Sequence, residues 1–154
     1  MRRLPQNPLS REDRLKALAF VDGGARGNPG PAGYGAYLTL DDGRIIEAFG
    51  YLGETTNNVA EYSGLIAALE IALEEKVREI EVVSDSQLLV RQMLGEYRVK
   101  HPNLVPLFLR ATRLARRFRK FAIRHTLRSG NKDADRLANL AIDSGETRVS
   151  YVHS

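Results

Sequence analysis

The stretch "FVDGGARGNPGPAGYG", residues 20–35, sets the plan of the fold, because it joins two predicted strands through almost bare backbone. It holds six glycines, two prolines and a single acid, Asp22, near its start. The mostly apolar residues 15–21 lead into it as a short buried strand that is predicted to end at Asp22. Residues 33–40, "GYGAYLTL", leave it as a second strand. A carboxylate at the mouth of so much glycine requires a reason.

Length and composition exclude several classes of protein. A chain of 154 residues predicts one domain with one core. The absence of cysteine excludes disulfides and thiolate metal sites, and fits a cytoplasmic protein. No apolar run approaches the length of a membrane span, and no apolar segment of a secretory signal follows the basic N-terminus. We expect a flexible basic arm at 1–14, a domain at 15–144, and a tail without clear periodicity at 145–154.

The remaining pattern predicts the fold class. "DDG" at 41–43 is a hairpin signal, so a third strand should complete an antiparallel meander. A long helix over 55–76 follows, with Asn57 or Asn58 as its N-cap. A strand ending at Asp85, two helices, a strand and a last helix complete the order β-β-β-α-β-α-α-β-α. This order predicts an α/β fold with a five-stranded mixed sheet, three antiparallel strands and then parallel crossovers, flanked by helices.

Four acids occupy positions that water does not easily reach. Asp22 and Asp85 each end a predicted strand, where ligands bind in sheets of this kind. Glu61 borders the buried stripe of the long helix, and Asp135 lies in the first turn of the last helix. Each alone has an ordinary explanation as a turn former, surface acid, N-cap or dipole-stabilising acid. Together they predict a divalent cation site, because crowded carboxylates repel each other and Mg²⁺ prefers oxygen ligands.

The segments that carry these acids resemble, in chain order, the four motifs of type 1 ribonuclease H. They are "FVDGGARGNPGPAGYGAYL", "TTNNVAEYSGLIAAL", "VVSDSQLLV" and "GNKDADRLANLA". The resemblance covers roughly residues 17–143 and implies the ribonuclease H fold. It also implies endonucleolytic hydrolysis of the RNA strand of RNA–DNA hybrids, dependent on two Mg²⁺ or Mn²⁺ ions, with 5′-phosphate and 3′-hydroxyl products.

The resemblance assigns roles to individual residues. Asp22 would bridge both metal ions, and Glu61 and Asp85 would hold the ion nearer the leaving group. Asp135 would hold the ion that carries the attacking water. Gly23 would leave room for a polyanionic backbone. The nucleic-acid contacts implied by the resemblance are Asn28, Thr56, Asn57, Asn58 and Gln87.

The basic residues are the second feature that points to nucleic acid. Residues 98–128 contain ten Lys and Arg and no Asp or Glu, which indicates a polyanionic partner or a solvated helix face. Many members of the family carry an extra basic helix, the handle, for which residues 95–106 leave no room. Arg113 and Arg117 are candidates to replace its phosphate contacts, with solvation as the alternative. Their basic neighbours are Arg110, Arg116, Arg119 and Lys120.

A further position concerns product release, which a mobile histidine before the last acid assists in well-known members. His125 stands ten residues before Asp135 but inside a predicted strand. Arg128, in the following loop, resembles the substitute found in the handle-less branch and is the preferred candidate. His101 and His153 have no motif context and are expected at the surface.

Two other functions fit parts of the pattern. A DNA strand-transfer core of the integrase or transposase type is disfavoured by the "TTNN" and "NKDAD" contexts. A non-catalytic nucleic-acid-binding module is disfavoured by the complete set of acids, because idle buried acids cost stability. Double-stranded RNA and RNA–DNA junctions stay open as further substrates, and a monomer without membrane contact is expected.

Overall fold

The computed structural model describes residues 15–153; the predicted arm at 1–14, Ser154 and the side chain of His153 lie outside the described residues. The first three strands form the predicted antiparallel meander. They are β1 (Lys16–Ala25), β2 (Gly30–Leu40) and β3 (Arg44–Thr55). β4 (Glu79–Ser84) and β5 (Lys120–His125) run parallel to β1 on its other side. The predicted mixed sheet is therefore confirmed.

Helices cover both faces of this sheet. α1 (Asn57–Glu74) packs on the meander strands, and α3 (Val105–Ala115) packs on α1. α2 (Gln87–Met93) follows β4. α4 (Lys132–Ser144) lies on the opposite face, over β2 and β3, after a 3₁₀ turn at Arg128–Gly130. None of the helices between residues 15 and 153 combines the length and apolar character that a membrane span requires.

The predicted count of five strands is wrong by one. β6 (Arg148–His153) pairs antiparallel with β3 and gives the order β5-β4-β1-β2-β3-β6. Val149, Tyr151 and Val152 are all exposed, so this edge strand lacks the alternation of buried and exposed residues that reveals a strand in sequence. The Tyr151 hydroxyl donates to Glu75 Oε2 over 3.0 Å and fastens the strand to the end of α1.

The predicted end of the first strand is also wrong. β1 continues through two glycines to Ala25, and β2 begins already at Gly30. Ladder pairs run from Asp22 with Gly35 to Ala25 with Ala32, so most of the glycine stretch is extended and paired. Glycine has a low preference for strands, so the sequence does not reveal this extension. The strand continues there because β2 pairs with it. Asp22 therefore stands inside a strand and pairs with Gly35 of β2, one residue beyond the end of the ladder with β4.

Candidate active site

Two glycines on opposite faces of the sheet let helix backbones come against the strands. Gly23 faces α1, and a Cβ there would lie 2.5 Å from the amide nitrogen of Glu61. Gly35, the cross-strand partner of Asp22, faces α4, and a Cβ there would lie 2.6 Å from the backbone of that helix. Real Cβ contacts are not this short, so only glycine allows these approaches. The glycine stretch thus brings the helices that carry Glu61 and Asp135 beside Asp22.

Three carboxylates from three elements converge at this point. Asp22 lies in β1, Glu61 in α1 and Asp85 directly after β4, and one oxygen of each lies within 4.8 Å of the others. Two oxygens on opposite sides of a Mg²⁺ ion are about 4.2 Å apart, which is twice the usual Mg–O distance. Among the described residues, Glu61 Oε1 is buried with no hydrogen-bond partner. The spacing, the all-oxygen donor set and this unpaired oxygen fit a hard divalent cation.

The electrostatics of the cluster agree with that fit. Burial, and then the negative charge of Asp85, raises the pKa of Asp22 to about 7, although the Gly23 amide donates to Asp22 Oδ1 over 2.9 Å. Burial, and then the charges of Asp22 and Asp85, raise the pKa of Glu61 to about 9. When no cation balances them, Glu61 is protonated near neutral pH and Asp22 is close to half-protonated. A bound cation would favour the ionised form of each.

Asp135 borders the same cleft from the other face of the sheet. It lies in the first turn of α4, and its amide donates to the carbonyl of Asn131 over 3.1 Å. The cleft has a volume of about 540 Å³ and is lined by all four predicted acids. The negative charge of Asp135 also contributes to the raised pKa of Asp22. The cleft therefore gathers acids from four segments that are far apart in the chain.

A short network orders the glycine turn against the start of α1. Thr56, rather than the predicted Asn57 or Asn58, is the N-cap, and its side chain accepts from the Val59 amide over 3.2 Å. Asn57 Oδ1 instead accepts from the Ala25 amide over 2.7 Å. The Asn57 amide donates to Asn28 Oδ1 over 3.0 Å. The prediction of the cap is wrong because a tertiary contact with β1 occupies the Asn57 side chain.

Known proteins resemble this chain over most of its length. A family model described as "Reverse transcriptase-like" matches residues 20–141. The solved N-terminal RNase H domain of Rv2228c from Mycobacterium tuberculosis is 46% identical, with a TM-score of 0.81 over 84% of this chain and 95% of that one. Ribonuclease HI of Halobacterium salinarum is 44% identical over 81% of this chain and 63% of its own length. This chain belongs to the ribonuclease H family.

A third ribonuclease H shows the family with nucleic acid. LC11-RNase H1 has been solved in complex with an RNA/DNA hybrid, and it is 44% identical with a TM-score of 0.77 over 84% of this chain and 98% of that one. The whole protein Rv2228c of Mycobacterium tuberculosis is named "Bifunctional protein", and this chain spans only 36% of its length. Membership of the ribonuclease H family, predicted from four motifs, is thus confirmed.

The two residues predicted as candidates for product release both border the cleft. His125 is the last residue of β5, as predicted from its place in a strand. Arg128 opens the 3₁₀ turn, with a side chain 88% exposed and Nε 4.0 Å from Asp85 Oδ2. The exposed guanidinium has the freedom to swing over the carboxylates, while the histidine is held at the end of a strand.

The predicted nucleic-acid residues fall into separate regions. Asn57 lines the cleft, and Asn58 lines an adjacent groove with Leu88 of α2. This groove is closed on its other side by the segment that replaces the handle, including Arg98 and Lys100. Gln87 is the exposed first residue of α2. His101, expected at the surface, is exposed and also borders the groove.

The structure does not bring Arg113 and Arg117 to the cleft. They lie toward the far end of the sheet, because the chain returns there at Arg119, whose amide donates to the carbonyl of Arg78 over 2.8 Å just before β4. Asp85 follows the other end of β4, and six strand residues span roughly 20 Å. Within residues 15–153 neither Arg113 nor Arg117 forms an ion pair, so the solvated alternative describes their present state.

Sequence reasoning overlooked one cation at the cleft. Arg26 donates from Nη1 to Asp143 over 2.7 Å and from Nη2 to Asn139 Oδ1 over 3.1 Å, which ties the glycine turn to α4. Arg26 is the one cation within residues 20–35. A single positive charge in this glycine-rich segment is the sequence feature that could have identified it.

Proposed function

We propose that this chain is an endoribonuclease that hydrolyses the RNA strand of RNA–DNA hybrids, giving 5′-phosphate and 3′-hydroxyl ends. The observation that carries the proposal is the convergence of Asp22, Glu61 and Asp85 within 4.8 Å at the edge of a cleft. The hybrid bound to LC11-RNase H1 supports the choice of substrate.

We propose Mg²⁺ or Mn²⁺, two ions per site, as the cofactor. Asp22 would be shared by both ions, since its carboxyl interacts with both Asp85 and Asp135; Glu61 and Asp85 would hold one ion and Asp135 the other. When bound, two such cations supply positive charge that favours ionisation of the attacking water and stabilises the leaving oxygen. The protein contributes oxygens from separate parts of the fold: Asp22, Glu61 and Asp135 belong to β1, α1 and α4, and Asp85 directly follows β4.

Recognition of the RNA strand would come from the turn and helix start beside the cleft. The wide minor groove of a hybrid displays 2′-hydroxyls on one strand, and amide side chains can donate to them and accept from them. Asn28 is an exposed polar group of the turn, Gly23 lines the cleft, and the exposed Gln87 directly follows the cleft residue Ser86. Thr56 and Asn57, at the start of α1, would hold the DNA strand. Since phosphate and shape carry such contacts, sequence preference should be weak.

The uncut strand would lie in the groove beside the cleft. Asn57 and Asn58 are consecutive, so the cleft and the groove meet at the start of α1. Arg98 and Lys100 outweigh Glu96 in the lining of the groove and leave it with net positive charge, which favours a phosphate backbone. The phosphate contacts predicted for Arg113 and Arg117 would be met only by a duplex that extends beyond the groove. Assistance of product release by Arg128, or by His125, stays a prediction, as do the monomeric state and the cytoplasmic location.

The test uses end-labelled RNA–DNA hybrid, double-stranded DNA, double-stranded RNA and an RNA–DNA junction, each with Mg²⁺ or with EDTA. We expect the RNA strand of the hybrid to be cleaved in Mg²⁺ and not in EDTA, and the products to carry 5′-phosphate ends. Asp135→Asn should reduce cleavage strongly, while Asp133→Asn, two residues away and paired with Arg136 at the surface, is the matched control. Hybrid binding without cleavage in Mg²⁺ would favour a binding module, and cleavage of double-stranded DNA would favour a DNA-processing enzyme.

A further inference from the structure

A buried asparagine joins the two elements that carry Asp22 and Asp135. Asn131 directly precedes α4 and is 1% exposed. Its Nδ2 donates to the carbonyl of Val21, the residue before Asp22, over 2.8 Å. Its own carbonyl accepts from the Asp135 amide over 3.1 Å. One residue is therefore bonded to the strand of the first acid and to the backbone of the second.

The side chain of Asn131 does not perform the task that its position favours. An asparagine before a helix commonly accepts a hydrogen bond from a first-turn amide, as the Thr56 and Ser86 side chains do for α1 and α2. Asn131 makes no such bond, and its Oδ1 is buried without a partner in the described part of the chain. Leaving a buried acceptor unpaired is unfavourable. The orientation toward Val21 is thus kept at the expense of capping.

Most of the other restraints on α4 act beyond its first turn. The helix packs on Gly33 and Gly35 of β2 through its backbone and through side chains of its middle and end. Arg26 bonds to the last part of the helix, and Arg136 bonds from its second turn to β3. The hydrogen bond from Asn131 to β1 is made directly before the first turn, which carries Asp135.

We propose that Asn131 is a positioning residue that fixes the separation of Asp22 and Asp135, and thereby sets the affinity of the acid cluster for divalent ions. This inference rests on the proposed function, since it takes the cluster as a metal site. Asn131 does not itself border the cleft, so it acts through the two acids. Changing residues that orient metal ligands typically weakens metal affinity or activity about 10–100-fold.

The experiment compares Asn131→Ala, Asn131→Ser and Val77→Ala in the full chain. Serine keeps an oxygen that can cap α4 but is too short to reach the Val21 carbonyl, so it separates capping from the tertiary bond. Val77 is buried before β4, at the end of the sheet away from the acids, and its truncation lowers stability by leaving a cavity. Mn²⁺ affinity is measured by electron paramagnetic resonance, stability by urea unfolding, and kcat and KM on hybrid with Mg²⁺.

We expect both Asn131 variants to bind Mn²⁺ at least about tenfold more weakly. Their kcat should fall, while their KM for hybrid should stay unchanged. Val77→Ala should keep its Mn²⁺ affinity within about twofold, since it is distant from the site, even where it unfolds more easily than Asn131→Ser. Unchanged Mn²⁺ affinity in Asn131→Ser, or a loss in Val77→Ala that follows stability, would overturn the inference and leave the nuclease assignment intact. A wild-type chain that neither binds Mn²⁺ nor cuts hybrid would overturn both.

Discussion

Asp22→Asn should stabilise the protein in metal-free buffer while it abolishes hydrolysis. Asp22 is 8% exposed, and burial together with the charges of Asp85 and Asp135 raises its pKa from 3.8 to about 7. Between these two values the folded protein holds a proton that the unfolded chain has released. Because the folded pKa is the higher one, this carboxyl contributes most to stability below about pH 4, and that contribution is lost as the pH rises toward 7.

The size of the effect follows from the pKa difference. Each pKa unit corresponds to about 1.4 kcal/mol, so above pH 7 the ionised Asp22 lowers the free energy of unfolding by on the order of 4 kcal/mol. At pH 5.5, where the unfolded acid is ionised and the folded one is not, it is on the order of 2 kcal/mol. Asparagine does not ionise, and its Oδ1 can still accept from the Gly23 amide, which is bonded over 2.9 Å. The variant should therefore gain stability, and more at high pH than at low pH.

The assay is urea unfolding followed by circular dichroism at pH 5.5 and pH 8.5 in EDTA. Asp133→Asn is the control, since it removes an exposed acid of α4 outside the cleft. Adding Mg²⁺ should stabilise the wild type, because a ligand that binds only the folded state raises the free energy of unfolding, and should leave Asp22→Asn unchanged. An Asp22→Asn protein no more stable than the wild type at pH 8.5 would refute the electrostatic reasoning.

Three further changes test the packing, the added strand and the groove. Gly35→Ala places a Cβ 2.6 Å from the Ala138 nitrogen and should push α4 away, lowering kcat on hybrid about 100-fold; a fully active variant would contradict the close approach. Tyr151→Phe removes the hydroxyl bond between β6 and α1, so thermal unfolding should report a loss of about 1 kcal/mol with kcat unchanged, and no loss would mean that β6 is held by pairing alone. Replacing Arg98 and Lys100 by alanine should weaken hybrid binding and reduce its salt dependence by about two units of slope; an unchanged slope would place the uncut strand elsewhere.

The features that could be predicted from the sequence are those with a local signal. The alternation of apolar runs and turn residues gave the order of strands and helices. The rule that ligands bind at the carboxyl ends of parallel strands predicts that Asp22 and Asp85 lie together at one edge of the sheet. The periodicity of the long helix put Glu61 at the border of its buried stripe, and the structure finds its Oε1 buried.

The features that were missed depend on tertiary contacts. Three successive residues, Thr56, Asn57 and Asn58, are all suitable N-caps, and the choice among them is made by the Ala25 amide on another strand. The composition predicted positive charge on and after α3. It did not predict the direction in which that helix runs, so it did not show that Arg117 lies far from the acids. β6 had no buried side to create a period.

The position of the glycines explains why such a site can exist in a stable sheet. Like charges repel, so side chains alone would keep the acids apart, and the protein must bring their backbones together instead. Gly23 and Gly35 point to opposite faces, and each seats a helix closer than any other residue would allow. The cost of crowding is then carried by the well-packed strands around Asp22 rather than by a mobile loop. Metal binding and stability are consequently coupled. A substitution at Gly23 or Gly35 that pushes a helix away should weaken metal affinity and also lower stability. Removing a charge from the cluster should weaken metal affinity but raise stability.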